Sequence, residues 1–225
     1  MQNNNDFDFE SILSSKKNIS HQIESESEKF DNLENLLSKE RKISFELKKQ
    51  ISSCGQEQIL LSCDASNNHD VLVALIKKVI VAGKKPVVVL TSINFKTANE
   101  LILEAKLNSS DVFLLDTISK NLINIPENKN LKFTDSLRNL TQIQIKILDF
   151  IEANIGLNKE PVLLFDSINI LELYHEEKII YKFIYVITKM LHKNKLAGVF
   201  ILSKKELIPN LGQFFNNIVE IEKVE

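Results

Sequence analysis

Residues 63–70, CDASNNHD, sit between an apolar run, QILLSC (58–63), and a helical apolar pattern that begins at Val71. Their length fits the frame G-x-x-x-x-G-K-[ST]. In that frame glycines turn backbone N–H groups toward phosphates, a lysine neutralises them and a hydroxyl holds magnesium. The residue types do not fit. Cys63 stands at the first glycine, Asn68 at the second, His69 at the lysine and Asp70 at the hydroxyl. Asparagine tolerates left-handed backbone better than most residues, so Asn67 and Asn68 are expected to keep part of the turn. An imidazole is largely uncharged at pH 7 and does not replace the lysine. Asp64 and Asp70 would set two carboxylates beside a triphosphate. As a phosphate loop the stretch is broken, and its candidate binding residues are Asp64, Ser66, Asn67, Asn68, His69 and Asp70.

Other chemistries fare worse. Asp64, Asp116 and Lys204 fall at strand ends, where an acidic pair, a phosphorylated aspartate and a lysine would make a phosphoacceptor site. Only one acid follows the first strand, so solvated strand-end carboxylates are the expectation. Cys54 and Cys63 lack metal-ligand spacing with His21, His69, His175 and His192, so neither zinc nor a disulfide framework is indicated. No G-x-S-x-G elbow or papain-like cysteine context is present. The 28 basic and 30 acidic residues nearly cancel, and only Arg41 and Arg138 are arginines. That balance argues against nucleic acid, which calls for a basic stripe and favours arginine. Lys77, Lys78, Lys84 and Lys85 read as solvation of a helix end.

The elements that position these residues follow from apolar pattern. Runs at 58–63, 85–91, 112–117, 161–171, 197–203 and 216–222 are short and rich in Val, Ile, Leu and Phe. They lack in/out alternation, as strands covered on both faces do. Between them lie amphipathic stretches, with Val71 to Ile80, Ala98 to Ala105, Leu137 to Ile155 and Ile179 to Leu191 as their apolar faces. A loop containing NIPENKN precedes the third stretch. Repeated β-α units predict a doubly wound, mostly parallel sheet with helices on both faces. Ligands of such sheets lie at the carboxyl ends of the strands. Those ends read Cys63-Asp64, Thr91-Ser92, Asp116-Thr117, Asp166-Ser167 and Ser203-Lys204.

In order and spacing, ILLSCDASNNHDVL, VVVLTSINF, VFLLDTISK, PVLLFDSINIL and GVFILSKKE resemble the RecA/KaiC-like P-loop superfamily, in particular a divergent archaeal-type member with a degenerate Walker A loop. The resemblance covers residues 55–225 and implies a RecA-like core, ATP with magnesium bound between subunits, and a ring or filament. By position, Asp166 is similar to the Walker B aspartate that holds magnesium, and Ser167 to the serine after it. Related ATPases place a water-activating glutamate after the strand VVVLTSIN. Here Thr91, Ser92 and Asn94 stand there, and none is a base at neutral pH. The expectation is a protein that is not an ATPase.

Residues 1–54 differ in kind. They contain no proline or glycine, and a heptad a/d series runs from Phe9 to Ile51 with nine apolar residues in thirteen positions. That is the narrow seam of a coiled coil. It predicts a long N-terminal helix that either folds back on the α/β domain or binds a second copy or another protein. The helix at 176–193 is apolar over more than one face, and the N-terminal helix is a candidate cover for it. The opening MQNNNDFDFE is not a secretory signal, and no apolar run reaches the ~18–20 residues that span a bilayer. The expectation is a cytoplasmic scaffold or regulatory protein. A nucleotide-binding switch with a nonstandard pocket is the alternative.

Overall fold

The computed structural model describes residues 39–51, 55–120, 125–154 and 159–221. The chain divides into two units, residues 1–42 and 43–225. Only 39–42 of the first are described, as the opening turn of a helix α1 (Lys39–Gln50). The greater part of the heptad seam lies outside the described residues.

The second unit is built on seven strands, β1 (Gln58–Ser62), β2 (Lys85–Leu90), β3 (Phe113–Asp116), β4 (Leu131–Phe133), β5 (Pro161–Phe165), β6 (Ala197–Leu202) and β7 (Asn217–Glu220). They form one sheet in the order β4-β3-β2-β5-β6-β1-β7, and every pairing is parallel. The five central strands are buried almost throughout, which explains their continuous apolar runs. β4 is new relative to the sequence reading. Its three residues, Leu-Lys-Phe, pair only with β3 at the sheet edge.

Helices α2 (Asn68–Val81), α3 (Phe95–Glu104), α4 (Leu140–Glu152), α5 (Glu177–Lys193) and the short α6 (Ile208–Leu211) connect the strands. Alternate strand residues face opposite ways, so Leu61, Val88, Leu90 and Leu164 join one core layer while Leu60, Val89, Phe165 and Phe200 join the other. The first layer is closed by α2 and α3, the second by α4, α5 and α6. α5 presents Ile180, Phe183, Ile184, Ile187 and Leu191, the i, i+3, i+4, i+7 spacing of one buried face. It runs so close to β6 that a Cβ on Gly198 would meet Leu191 Cδ1 at 2.6 Å.

The end of α1 enters the first layer. Ile43, Leu47 and Ile51 are buried there, in one cluster with residues of β1, β7 and α2. The side chain of Gln50 donates to the Glu220 carbonyl at 3.1 Å. The described end of the N-terminal helix, α1, is therefore not the cover of α5, which belongs to the opposite layer. The buried stripe 43/47/51 also departs from the heptad seam 44/47/51, because packing on a flat sheet needs one i, i+4 row rather than a supercoiled a/d seam.

Three helix-to-strand turns share one design. After α2, Gly83 N–H reaches Ile80 O and Lys84 N–H reaches Val79 O, with Gly83 left-handed at φ 74°. This is a Schellman ending, where glycine removes the Cβ penalty. Lys106 (φ 58°) and Lys195 (φ 56°) make the same pair of bonds after α3 and α5 without that relief.

Candidate functional site

The chain leaves β1 and β2 through helices of the first layer, and leaves their sheet neighbours β6 and β5 through elements of the second. Crevices open at the carboxyl ends of such neighbours, and ligands of doubly wound sheets occupy them. Among the described residues there are two, at β6|β1 and at β2|β5. Both are crossed by the protein's own side chains.

At β6|β1 the chain extends through Asp64 (φ −62°, ψ 142°) into a single 3₁₀ turn, Ala65–Asn67, and then directly into α2. Asp64 is the N-cap of that turn. Its Oδ1 accepts from Ser66 N–H at 2.9 Å and from Ser66 Oγ at 2.6 Å. A helix N-terminus attracts an anion because its first N–H groups lack partners. Here the chain supplies the anion itself. Asn67 (φ −101°) and Asn68 (φ −52°) are right-handed, contrary to the expectation that they keep a left-handed turn. The Asp64 cap stabilises the tight 3₁₀ turn instead, and no left-handed residue lies between 63 and 70. Asn68 Oδ1 accepts from Cys63 Sγ at 3.2 Å and from Ser203 Oγ at 3.1 Å, joining β1 to β6. Burial, with Asp64 adding repulsion, pushes the Cys63 thiol up to about 12, so it is an inert donor. His69 is exposed and Asp70 is half-buried in the first turn of α2.

At β2|β5 the carboxylate of Asp166 is fully occupied. Oδ1 accepts from Thr91 N–H at 2.8 Å and from the Thr91 hydroxyl in a short contact, while Oδ2 accepts from Ser92 N–H at 3.0 Å and Ser92 Oγ at 2.9 Å. The Thr91 hydroxyl also lies 2.7 Å from the Ser167 carbonyl oxygen, an alternative acceptor for its single proton. Burial raises the Asp166 pKa, and the bonds from Thr91 and Ser92 only partly oppose this. Ser167 is buried beside it.

A third strand end is closed in the same manner. Asp116, wholly buried, accepts from Ile118 N–H and Ser119 N–H through Oδ1, and from Phe95 N–H and Ser119 Oγ through Oδ2. It thereby caps α3 rather than facing solvent as a strand-end carboxylate. Lys204 does not approach it. Its ammonium pairs with Glu172 at 2.6 Å.

The structure thus draws Asp64, Ser66 and Asn68 into one hydrogen-bonded turn. Asp166 and Ser167 lie two strands away, roughly 10 Å at ordinary strand spacing. A magnesium-bound triphosphate does not fit these residues. The loop's cap is a carboxylate, both Asp166 oxygens are spent on β2, and no lysine stands in the loop. Among the described residues no group of three His, Cys, Asp or Glu side chains is placed to hold a metal ion. The partners that sequence reasoning did not assign are Thr91 and Ser92. They stood at a catalytic-base position as two hydroxyls, and only the β2–β5 pairing reveals what they bind.

No protein-family model matches the chain, and no curated protein matches it. Solved structures do. A KaiC-like protein from the hyperthermophilic archaeon Pyrococcus horikoshii is similar with a TM-score of 0.52 at 11% identity, over 75% of this chain and 72% of that one. An uncharacterized protein from the same archaeon, in complex with an unknown peptide, is similar with a TM-score of 0.60 at 9% identity, over 78% and 81%. The fold is RecA-like, of the KaiC kind. At these identities the likeness concerns architecture alone, and the chemistry must come from this chain's own residues. No helix among the described residues is long and apolar enough to cross a membrane.

Proposed function

We propose that this chain is a cytoplasmic, non-catalytic scaffold or regulatory protein on a RecA/KaiC-like fold, acting by oligomerisation or by binding a partner protein. One observation carries the reading. The carboxylate at the Walker B position, Asp166, has both oxygens engaged by Thr91 and Ser92, while the phosphate-loop position is capped by Asp64. Phosphoryl transfer needs phosphate neutralisation, a metal ligand and a positioned water, and these groups are committed elsewhere. A protein of similar fold is itself in complex with an unknown peptide, which supports partner binding over turnover. The domain division proposed is an N-terminal segment, 1–54, for association and an α/β domain, 55–225, for display. Within 1–54 the association role falls before α1, since Ile43, Leu47 and Ile51 are spent on the core.

The test pairs two measurements on the full chain and on a chain starting at Lys39. ATP turnover at background level, together with fewer chains per particle in solution after truncation, is the expected result. Turnover above background overturns the non-catalytic reading, and an unchanged number of chains per particle overturns the assembly role of residues 1–38.

A second reading, a switch with a nonstandard nucleoside pocket at Asp64, Ser66, Asn67, Asn68, His69, Asp70, Asp166 and Ser167, is favoured by one feature. The Asn67 amide Nδ2 is buried without an acceptor. A ligand carbonyl would satisfy it. Adenosine that raises the melting temperature of the wild type but not of Asn67→Leu supports this switch. Equal shifts in both remove it.

A further inference from the structure

A groove lies at the carboxyl ends of β1, β6 and β7, and none of the described residues fills it. It measures about 900 Å³ and lies just outside the β6|β1 crevice. Its apolar lining comes from Cys63, Leu207 and Ile221, all buried. Asp64, Glu172, Glu177 and Glu206 give it four carboxylates, against the two ammonium groups of Lys204 and Lys205. Four negative and two positive groups leave a formal charge of −2. Both ammonium groups are already engaged, Lys204 with Glu172 at 2.6 Å and Lys205 with Glu220 at 2.6 Å. A nucleotide's phosphates would meet net repulsion here.

We propose that this groove docks a lysine-rich peptide segment of a partner protein. The proposal rests on the partner-binding reading above and names the partner's chemistry. A lysine side chain suits both parts of the lining, because its four-carbon stem lies along apolar surface while its ammonium stays with charge and water. Charge complementarity selects the occupant, since an acidic rim over an apolar floor favours cationic segments and rejects anionic ones. The resident Lys204 shows the arrangement at work. Its ammonium bonds Glu172 and feels the negative charges of Glu206 and Glu177 as well. An incoming lysine would meet the same three carboxylates.

The experiment is fluorescence anisotropy of a labelled hexalysine peptide against the full chain at low salt, with hexaglutamate as the control. Saturable binding of hexalysine alone is expected, weakening severalfold as screening rises from 50 to 200 mM salt, about 14 Å to 7 Å in Debye length. Glu177→Gln combined with Glu206→Lys changes the lining charge from −2 to +1 and should weaken binding at least tenfold. Glu152→Lys, an exposed change at the far end of α4 and the opposite edge of the sheet, should leave it unchanged. Melting temperatures within a few degrees of wild type would establish that the variants are folded. No saturation at millimolar protein, hexaglutamate binding as tightly, or equal affinity in the groove variant each overturns the proposal. ATP turnover by the same sample would instead strike the non-catalytic reading, so the two failures are distinguishable.

Discussion

Replacing Asp166 with alanine removes the acceptor for four donors at once. Thr91 N–H and Ser92 N–H lose their partners at the β2|β5 crevice, as do both hydroxyls. The Thr91 hydroxyl keeps the Ser167 carbonyl at 2.7 Å, and the Ser92 hydroxyl, on a half-buried residue, finds water. Two backbone N–H groups remain, each costing about 1–3 kcal/mol when left unpaired. Relief of a buried carboxylate's desolvation offsets part of this, so the net loss should be about 3 kcal/mol. In a domain of this size that lowers the melting temperature by about 6–12 °C. Thermal unfolding followed by far-UV circular dichroism measures it directly. A carboxylate held in place for catalysis or metal binding behaves in the opposite sense, because removing it commonly leaves stability unchanged or higher. A variant melting within 2 °C of wild type, or above it, would refute the assignment of Asp166 as a staple between β2 and β5.

Titration gives an independent check on the same group. Burial raises the folded-state pKa of Asp166 above the ordinary unfolded value of about 3.9, so the folded chain holds its proton longer. Stability from this group is complete below about pH 3.9 and is lost as pH rises through the folded value. Asp166→Asn should lack that loss, and its stability deficit should shrink as pH rises across the window in urea titrations. Leu47→Ala should cost about 2–4 kcal/mol in the same assay, because Leu47 is buried in the first core layer; a loss below 0.5 kcal/mol would mean that α1 is not part of the core. Gly198→Ala places a methyl 2.6 Å from Leu191 Cδ1 and should destabilise by about 1–3 kcal/mol, with a neutral result showing that α5 can move away. Lys195→Gly relieves a left-handed residue at an exposed position and should raise stability by up to about 1 kcal/mol; a loss would mean that the extra freedom of glycine in the unfolded chain outweighs the strain.

The sheet was legible because strands covered on both faces are apolar without interruption, and the five central strands announce themselves in that way. β7, exposed at three of its four residues, shows only as the short apolar pair Ile218-Val219. β4 did not show. Leu131-Lys132-Phe133 is three residues long and follows Asn128 and Asn130, so only its pairing with β3 makes it a strand. α1 was ambiguous for a geometric reason. Leu47 and Ile51 belong to a heptad seam and to an i, i+4 stripe alike, and Ile43 decides between them only once the sheet is present. The loop at 63–70 carries a local signal that its residues alone express. Asp64 immediately before a short helical turn is an N-cap pattern, and an N-cap needs no left-handed asparagine. The partners of Asp166 were beyond reach, since Thr91 and Ser92 lie about 75 positions away and become neighbours only because β2 and β5 pair.

Side chains of the chain itself cross both crevices at the carboxyl edge of this RecA-like sheet, so a nucleoside triphosphate is not expected to bind there. Melting the full chain with and without millimolar MgATP tests it most directly. A ligand at about 100 times its dissociation constant adds roughly 2.7 kcal/mol, which in a protein of this size is a rise of about 5–11 °C. The expected shift is below 1 °C. A rise of several degrees that Asp166→Ala abolishes would contradict it, and would mean that Asp64 and Asp166 exchange their internal partners for a bound nucleotide.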